Sequence, residues 1–220
     1  MNKLLISISS KNPTNLLIQN ITNLNNFFND YEKKITIIDS DSTDFIIYDE
    51  IKHLFPTIDI HFIKNKNYEF GAYKFSYLQY PDYDIYCCIQ DNFIITQNID
   101  ISQINDDTSF IYYNNTGFDQ FGPEWKYINN YINKFFYNFD KDFINTYKHI
   151  DFTKFTLAQH CSFIVTNSNI KNIFNTFTLP PTEKIHSCLY ERLFGLYFII
   201  NNIKTIDISY CVKKYHGNRI

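Results

Sequence analysis

One stretch of the sequence decides the fold class: residues 83–92, which read YDIYCCIQDN. Its apolar middle does not alternate with polar residues, which is typical of a strand buried on both faces of a parallel sheet. The run ends at three polar residues, Gln90, Asp91 and Asn92. We therefore predict a central strand at 84–89 that delivers polar side chains to one edge of the sheet.

Strand and helix patterns alternate in the first half of the chain. The predicted elements are, in order, a strand at 4–9, a helix at 14–31, a strand at 35–38, a helix at 45–55, a strand at 58–63, a helix at 71–80 and the strand at 84–89. The later half is less regular, and its patterns predict strands at 109–113 and 162–166 and helices at 124–136, 170–177 and 184–201. This order predicts an α/β fold with a mostly parallel central sheet flanked by helices.

Composition and charge limit the classes of protein to which the chain can belong. It has 220 residues, of which 45% are hydrophobic, and its formal net charge is −3. That apolar fraction can build a core, and no linker rich in Pro, Gly or Ser divides the chain, so residues 1–220 are predicted to form one domain. A nucleic-acid binder needs clustered Lys and Arg to neutralise phosphates, and we therefore predict no nucleic-acid partner.

The five cysteines are odd in number, lack a CxxC spacing, and lie mostly in apolar segments. This usage favours reduced, buried thiols in a cytoplasmic protein. The N-terminus lacks the apolar core of a signal peptide, and the longest apolar run, 193–200, is shorter than the ~20 residues of a membrane span. A catalytic pair of Cys161 with His160 is disfavoured, because neighbours along a strand point to opposite faces.

Polar side chains follow each of the first four predicted strands. In chain order they are Ser9, Ser10 and Lys11, then Asp39, Ser40 and Asp41, then Asn65, Lys66 and Asn67, and finally Gln90, Asp91 and Asn92. Ligands of open α/β sheets bind outside the carboxyl ends of the strands. We therefore expect these four strand ends to line one site.

Taken in this order, the segments from Leu4 to about His216 resemble a GT-A glycosyltransferase. The similarity is to the small, single-domain nucleotide-sugar transferases related to glycosyltransferase family 2, as found in bacteria and large DNA viruses. It implies a GT-A fold. It also implies transfer of a sugar from a nucleoside diphosphate, such as UDP or GDP, to a hydroxyl group of a glycan or other acceptor, with inversion at the sugar.

The resemblance assigns residues to the donor. In this family the loop after the first strand and an acidic residue after the second strand hold the nucleoside. The segment 67–74, NYEFGAYK, is similar to the Asn and Gly-Ala segment that opens a helix beside the diphosphate, where a glycine lets a ligand approach the backbone closely. The implied donor-binding residues are Ser9, Ser10, Asp39, Asp41, Asn67, Gly71, Lys74, Gln90, Asp91 and Asn92.

Residues 90–92 are similar to the acidic DxD-type cluster that holds a divalent cation in these enzymes. Mn²⁺ or Mg²⁺ would bridge the diphosphate oxygens and stabilise the charge that develops on the leaving group. The implied metal ligands are Asp91, Asn92 and His216. Here Gln90 and Asn92 flank a single carboxylate, and since amide oxygens coordinate more weakly, weak metal binding is expected.

The stretch 191–195, ERLFG, is similar to a helix that carries an acidic residue at the active site of these transferases. An inverting transferase needs a general base for the acceptor hydroxyl, and we assign Glu191 first and Glu183 second, with Asp91 completing the catalytic set. The implied acceptor-side residues are Trp125, His160 and Arg192. Basic residues near the C-terminus are expected to meet the diphosphate.

Two other functions stay open on the sequence. A nucleotidyltransferase of similar fold would make the nucleotide sugar, but the loop 9–13 contains no glycine, which counts against it. A non-catalytic nucleotide-sugar-binding module is favoured by the single carboxylate, Asp91, at the end of the fourth strand. The sequence fixes neither the donor's sugar and base nor the acceptor, the oligomeric state, or the choice between inversion and retention.

Overall fold

The computed structural model of the protein describes residues 3–28, 31–111, 142 and 158–215. The described strands are β1 (Lys3–Ser10), β2 (Glu32–Asp39), β3 (Asp59–Phe62), β4 (Ile85–Gln90), β5 (Phe93–Ile95), β6 (Thr108–Ile111), β7 (Phe163–Thr166), β8 (Lys204–Asp207) and β9 (Val212–Lys214). The described helices are α1 (Asn15–Phe27), α2 (Ile46–Leu54), α3 (Tyr68–Gln79), α4 (Asn167–Thr176) and α5 (Lys184–Ile200).

Seven of these strands form one sheet in the order β3-β2-β1-β4-β7-β6-β8. The first four strands in this order are parallel, β7 is antiparallel to both of its neighbours, and β8 is parallel to β6. The prediction of an α/β fold with a mostly parallel sheet flanked by helices is therefore confirmed. Strands β5 and β9 form a separate antiparallel pair.

The central strand β4 is buried along its whole length, as its sequence predicts. Its side chains alternate between two cores, one on each face of the sheet. Tyr86 and Cys88 pack in the core with α3, α4 and α5, whereas Cys87 and Ile89 pack in the core with α1 and α2. Because both of its faces are covered, this strand can carry polar side chains only at its ends.

The cysteines are free, and four of them are buried: Cys87, Cys88, Cys161 and Cys211. Burial raises the pKa of the Cys87 thiol to about 12, and it also raises the pKa of Cys88 and Cys161. Thiols with such pKa values are poor nucleophiles. The prediction of reduced, buried thiols is confirmed for these four, and Cys188 is half-buried. In the described part of the chain, no helix is both long and apolar enough to cross a membrane.

Several helix ends differ from the sequence prediction by a few residues because capping decides them. Helix α1 begins at Asn15 since Thr14 is its N-cap, with Oγ1 accepting a hydrogen bond from the backbone N–H of Leu16 at 3.4 Å. Helix α4 begins at Asn167, three residues before the predicted start, because Thr166 caps it in the same way. The predicted helix at 124–136 lies outside the described residues.

Residues 159–161 correct one expectation. The argument against a pair of Cys161 with His160 treats both residues as part of a strand, but the structure has a 3₁₀ turn at Gln159–Cys161 before β7 begins at Phe163. His160 and Cys161 have φ angles of 56° and 53°, in the left-handed region that strands do not visit. The turn directs Cys161 into the core and leaves His160 half-buried beside α5.

We predict that Phe194→Ala lowers the free energy of unfolding by about 3–5 kcal/mol, the usual cost of deleting a buried aromatic ring. Phe194 is 0% exposed, and its ring centroid lies 5.1 Å from that of Phe163 and 5.5 Å from that of Phe177. Urea denaturation measures the loss. As a control, Phe62→Ala removes a ring that is 43% exposed, and it should cost about 1 kcal/mol or less. Equal losses in the two variants would contradict the assignment of the core.

Candidate functional site

The candidate site lies where the strand order of the sheet reverses. From β1 the chain moves outward to β2 and β3 on one side, and then crosses to β4 on the other side of β1. The connections that follow β1 and β4 therefore leave in opposite directions and open a crevice at the carboxyl ends of these two strands. Three of the four predicted strand ends meet at this crevice. We call their residues the rim: Ser9 to Asn12, Asp39 to Ser42, and Gln90 to Asn92.

Asp91 joins the ends of β1 and β4. Its Oδ2 accepts hydrogen bonds from Ser10 Oγ at 3.0 Å and from the backbone N–H of Lys11 at 3.1 Å. Its own backbone N–H donates to the Ser9 carbonyl at 3.0 Å. The carboxylate is 5% exposed, so these bonds hold it in one place. The structure thus brings together three residues that the sequence assigns to the donor site.

Asp39, at the end of β2, is also buried and bonded. Its carboxylate accepts hydrogen bonds from the hydroxyl and backbone N–H of Ser42 and from the Tyr48 hydroxyl, the last at 2.7 Å. The Tyr48 oxygen lies 3.0 Å from Ser10 Oγ and so links the ends of β1 and β2. Burial, together with the Asp39 carboxylate, raises the pKa of Tyr48, so this hydroxyl stays a neutral donor.

Asp41 occupies the turn that follows Asp39. It is exposed and has a φ of 67°, a left-handed conformation that Asp adopts more readily than most residues. The neighbouring Asn12 also has a positive φ, and its side-chain oxygen accepts a hydrogen bond from the Thr43 backbone N–H at 2.8 Å. The loops after β1 and β2 are therefore bonded to each other.

The third predicted strand end, 65–67, reaches the rim through Asn65. Its side chain donates to Ser40 Oγ at 3.1 Å and to the Tyr68 carbonyl at 2.6 Å, and its Oδ1 accepts from the Asn67 backbone N–H at 2.9 Å. A Cβ added at Gly71 would lie 2.2 Å from this Oδ1. Position 71 therefore requires glycine because Asn65 approaches it closely, whereas the sequence resemblance attributes that requirement to a ligand.

Asn67, Gly71 and Lys74, which the sequence assigns to the donor, line one surface groove of about 440 Å³ together with Asn65 and Phe70. Asn67 donates from its side chain to the carbonyl of Pro181 at 3.0 Å, which joins the start of α3 to the segment before α5. The Lys74 ammonium lies 5.8 Å from the centroid of the Phe70 ring. The three predicted residues are thus neighbours in space.

Gln90 and Asn92, which flank Asp91, both contact a lysine from the far end of the chain. The Lys214 ammonium donates to Gln90 Oε1 and, at 2.9 Å, to Asn92 Oδ1. Strand β9 brings it there, because Lys214 pairs with Phe93 in the antiparallel ladder of β5 and β9. The amide oxygens of Gln90 and Asn92, which the sequence resemblance places in a metal-binding cluster, therefore accept hydrogen bonds from an ammonium group.

The residues that the structure describes do not fit the expected divalent cation. No three His, Cys, Asp or Glu side chains within them are grouped to hold a metal. Asp91 is the only carboxylate of residues 90–92, and the amide oxygens on either side of it are bonded to Lys214. The third expected ligand, His216, lies outside the described residues, so Mn²⁺ or Mg²⁺ stays a prediction from the sequence.

Glu191 is the one described carboxylate with a markedly raised pKa. Its side chain is 17% exposed, and its Oε1 lies 4.0 Å from Nδ1 of His160. Burial raises the pKa of Glu191 to about 7, against the opposing effect of the Arg192 guanidinium and with a further rise from the Glu69 carboxylate. A carboxylate with a pKa near neutral is suited to general-base chemistry.

The other predicted site residues of α5 are Glu183 and Arg192, and neither has the environment of Glu191. Glu183 is exposed at the N-cap of the helix. Arg192 is 2% exposed and donates from Nη1 to the Cys188 carbonyl, one turn earlier on the same helix, at 2.7 Å. His160 is placed beside Glu191 as described, and its ring centroid lies 5.7 Å from that of Phe93, next to the rim. Trp125 lies outside the described residues.

Glu69 is a residue of the site that the sequence analysis missed. Its carboxylate accepts from Gln90 Nε2 at 2.6 Å and from Ser187 Oγ at 3.1 Å, so it connects the rim to α5. Its place in the first turn of α3, inside the segment 67–74, is the signal that could have identified it. The exposed Lys184, at the start of α5, lies near this carboxylate. Partial desolvation lowers the pKa of Lys184, but nearby groups, with Glu69 first among them, outweigh this effect and raise the pKa overall.

Comparisons with known proteins give distant similarities only. No protein-family model matches the chain, and no curated protein matches it significantly in sequence. Among solved structures, it is similar to the galactosyltransferase LgtC in complex with donor and acceptor sugar analogues, at a TM-score of 0.46 and 7% identity, with 98% of this chain and 87% of that chain covered.

A second similarity is to TarS of S. aureus. Its residues 1–349 in complex with UDP match at a TM-score of 0.39 and 12% identity over 50% of this chain, and a longer TarS structure matches at 0.35 and 13% over 44%. The chain spans 35% and 18% of the length of these two structures. At such TM-scores none of these similarities decides the function.

We predict that Tyr48→Phe lowers the free energy of unfolding by about 1–2 kcal/mol, because it removes a buried hydroxyl that is bonded to Asp39. Urea denaturation at neutral pH measures the loss. Tyr210→Phe is the matched control, since that side chain is 67% exposed and its hydroxyl can bond to water. An unchanged stability of Tyr48→Phe would contradict a role of this hydroxyl in holding the rim together.

Proposed function

We propose that the chain is a GT-A-type glycosyltransferase that moves a sugar from a nucleoside diphosphate sugar to a hydroxyl group of an acceptor. One observation carries the proposal: Ser10 and Asp91 are hydrogen bonded across the crevice between β1 and β4, at the point where the strand order reverses. This is the place where open α/β sheets bind nucleotides. Asp39 and the loop after β2 border the same crevice.

The rim is suited to the nucleoside part of UDP or GDP. The Asp39 carboxylate has about four acceptor positions, and the bonds from Ser42 and Tyr48 leave capacity for a ribose hydroxyl. Ser9, Ser10 and Asp41 add hydroxyl and carboxylate groups along the same edge. The groove that contains Asn67, Gly71 and Lys74 continues from this edge through the bond between Asn65 and Ser40.

Glu191 is the residue that we assign as general base. In transfer with inversion, the O–H bond of the acceptor breaks and its proton moves to the Glu191 carboxylate. The acceptor oxygen then forms a bond to the anomeric carbon, and the bond from that carbon to the diphosphate breaks with its electron pair on the diphosphate. His160, whose Nδ1 lies 4.0 Å from Glu191 Oε1, is assigned to the acceptor side from the sequence resemblance, as are Trp125 and Arg192.

Asp91→Asn tests the site directly. We expect transfer and hydrolysis of UDP-sugars or GDP-sugars to fall by about 10²-fold or more, because an amide cannot reproduce the charge and both acceptor bonds of the buried carboxylate. Asp49→Asn, on the exposed face of α2, is the control and should keep full activity. Full activity in Asp91→Asn would overturn the site. Donor binding without any turnover in the wild-type protein would favour the non-catalytic module instead.

The activity should also depend on pH through Glu191. Because its pKa is raised to about 7, the base form is lost as the pH falls through 7, and the rate should drop about tenfold per pH unit below that value. Glu191→Gln should lack this limb of the profile and lose most of the activity.

The pH dependence of stability is a second measure of the raised pKa of Glu191. A raised pKa in the folded state makes the charged form costly, so this residue destabilises the fold increasingly from about pH 4.3 to about pH 7, and by a constant amount above that. Glu191→Gln should therefore be at least as stable as the wild-type protein at pH 8. A clear loss of stability at pH 8 would contradict the raised pKa.

A further inference from the structure

Glu69, in the first turn of α3, joins the carboxyl end of β4 to helix α5. One of its carboxylate oxygens accepts a hydrogen bond from the side-chain amide of Gln90 at 2.6 Å, and the other accepts from the Ser187 hydroxyl at 3.1 Å. Gln90 directly precedes Asp91 at the crevice. Ser187 lies on the helix that carries Glu191. One side chain therefore contacts both the donor side and the base side of the proposed site.

The Glu69 carboxylate faces the stripe of α5 that presents Glu191. Ser187 and Glu191 are four residues apart, and side chains at this spacing lie one above the other on the same face of a helix. Lys184 lies one turn before Ser187 on the same stripe. Burial is the main reason for the raised pKa of Glu191, and the Glu69 carboxylate adds to the rise. The contact with Ser187 and this electrostatic effect place Glu69 beside Glu191.

The charged and titratable groups around these two carboxylates come from three elements. Helix α5 contributes Lys184, Cys188 and Arg192, the turn before β7 contributes His160 and Cys161, and α3 contributes Glu69 itself and Tyr73. Burial raises the pKa of the Cys161 thiol and of the Tyr73 hydroxyl, so both groups stay neutral near pH 7. Among the described groups of this cluster, Glu69 is thus the second carboxylate beside Glu191.

The two carboxylates are held differently and are therefore suited to different roles. Both oxygens of Glu69 accept hydrogen bonds, which is the bonding of an ionised carboxylate. Glu191 is buried against the turn before β7, and its Oε1 lies 4.0 Å from Nδ1 of His160. A charged carboxylate disfavours ionisation of a second carboxylate nearby. The environment thereby divides such a pair into a permanent charge and a proton acceptor.

We propose that Glu69 is a positioning residue of the transfer, which sets a second negative charge beside the Glu191 carboxylate. Its bonds to Gln90 and Ser187 hold that charge in place. The inference rests on the proposed function and specifies how the base of that site is prepared. In the transfer, the O–H bond of the acceptor breaks and its proton passes to Glu191, whereas Glu69 neither gains nor loses a proton. Glu69 therefore acts through Glu191.

Carbon NMR of protein that is isotopically labelled at the glutamate side-chain carboxyl tests the proposal without requiring activity. The signal that is lost in Glu191→Gln identifies Glu191, and its dependence on pH gives the midpoint of titration. In Glu69→Gln this midpoint should fall by about 0.5 to 1 pH unit, because the neighbouring negative charge is gone. The new side chain offers an oxygen to Gln90 and an amino group to the Ser187 hydroxyl, so the packing should be kept.

Glu50→Gln is the matched control, since it makes the same chemical change at an exposed position of α2 and should leave the midpoint of Glu191 unchanged. Glu69→Asp keeps the charge and should keep the midpoint closer to that of the wild type. If Glu69→Gln does not fold, Glu69→Ala removes the same charge, and its comparison with Glu69→Asp replaces the first test. The same midpoint in the wild type and in the uncharged variants would overturn the role of Glu69.

The pH dependence of transfer measures the same effect on the reaction. In Glu69→Gln the lower limb of the kcat profile should move to lower pH by as much as the midpoint of Glu191 does. The rate on the plateau should fall by about 2- to 5-fold, because a weaker base accepts the acceptor's proton less readily. KM for the nucleotide sugar should be unchanged. A purely structural role of Glu69 would lower the rate at every pH and leave the limb where it is.

The outcomes separate this inference from the proposed function. Transfer that depends on Glu191, together with a pH limb that Glu69→Gln does not move, would overturn the role of Glu69 and leave the proposed glycosyltransferase intact. If the midpoint of Glu191 shifts as expected but the wild type neither transfers nor hydrolyses any UDP-sugar or GDP-sugar, the proposed function fails, and the role of Glu69 in the reaction fails with it.

Discussion

The burial of β4 on both faces is the constraint on which the rest of the structure depends. Its backbone groups are paired with β1 on one side and β7 on the other, and its side chains fill two cores in alternation. A strand in this position tolerates no polar side chain along its middle, because a buried polar group without a partner is costly. Polar residues are therefore collected at its carboxyl end, beside the ends of β1 and β2, and the site follows from the sheet.

The polar groups of the rim are held by neutral partners more than by opposite charges. Hydroxyl and backbone N–H groups bind Asp39 and Asp91, and side-chain amide and hydroxyl groups bind Glu69. Such bonds fix the positions of the carboxylates. A site of this kind is organised before a ligand arrives. Glu191 differs, because burial raises its pKa to about 7, so its carboxylate is partly protonated at neutral pH.

The sequence predicted the parallel half of the fold and the grouping of Ser10 with Asp91, because apolar runs and polar strand ends are local patterns. It could not predict the placement of Lys214, since β5 and β9 have three residues each and join positions more than a hundred residues apart. The turn at His160 also escaped prediction, because nothing in its composition signals a left-handed backbone. Glu69 was overlooked for another reason: its role depends on Gln90, which reaches it only after α3 has packed on the sheet.

The short ladder between β5 and β9 has a consequence for the order in which the site is assembled. Strands β1 to β4 leave the ribosome early and pair with one another through neighbouring segments, whereas β9 closes a loop of more than a hundred residues. A nascent chain can therefore form these strand pairings before Lys214 reaches Gln90 and Asn92. The contacts that join the end of β4 to the C-terminal segment are then made late in synthesis, and a chain whose translation stops before β9 lacks them.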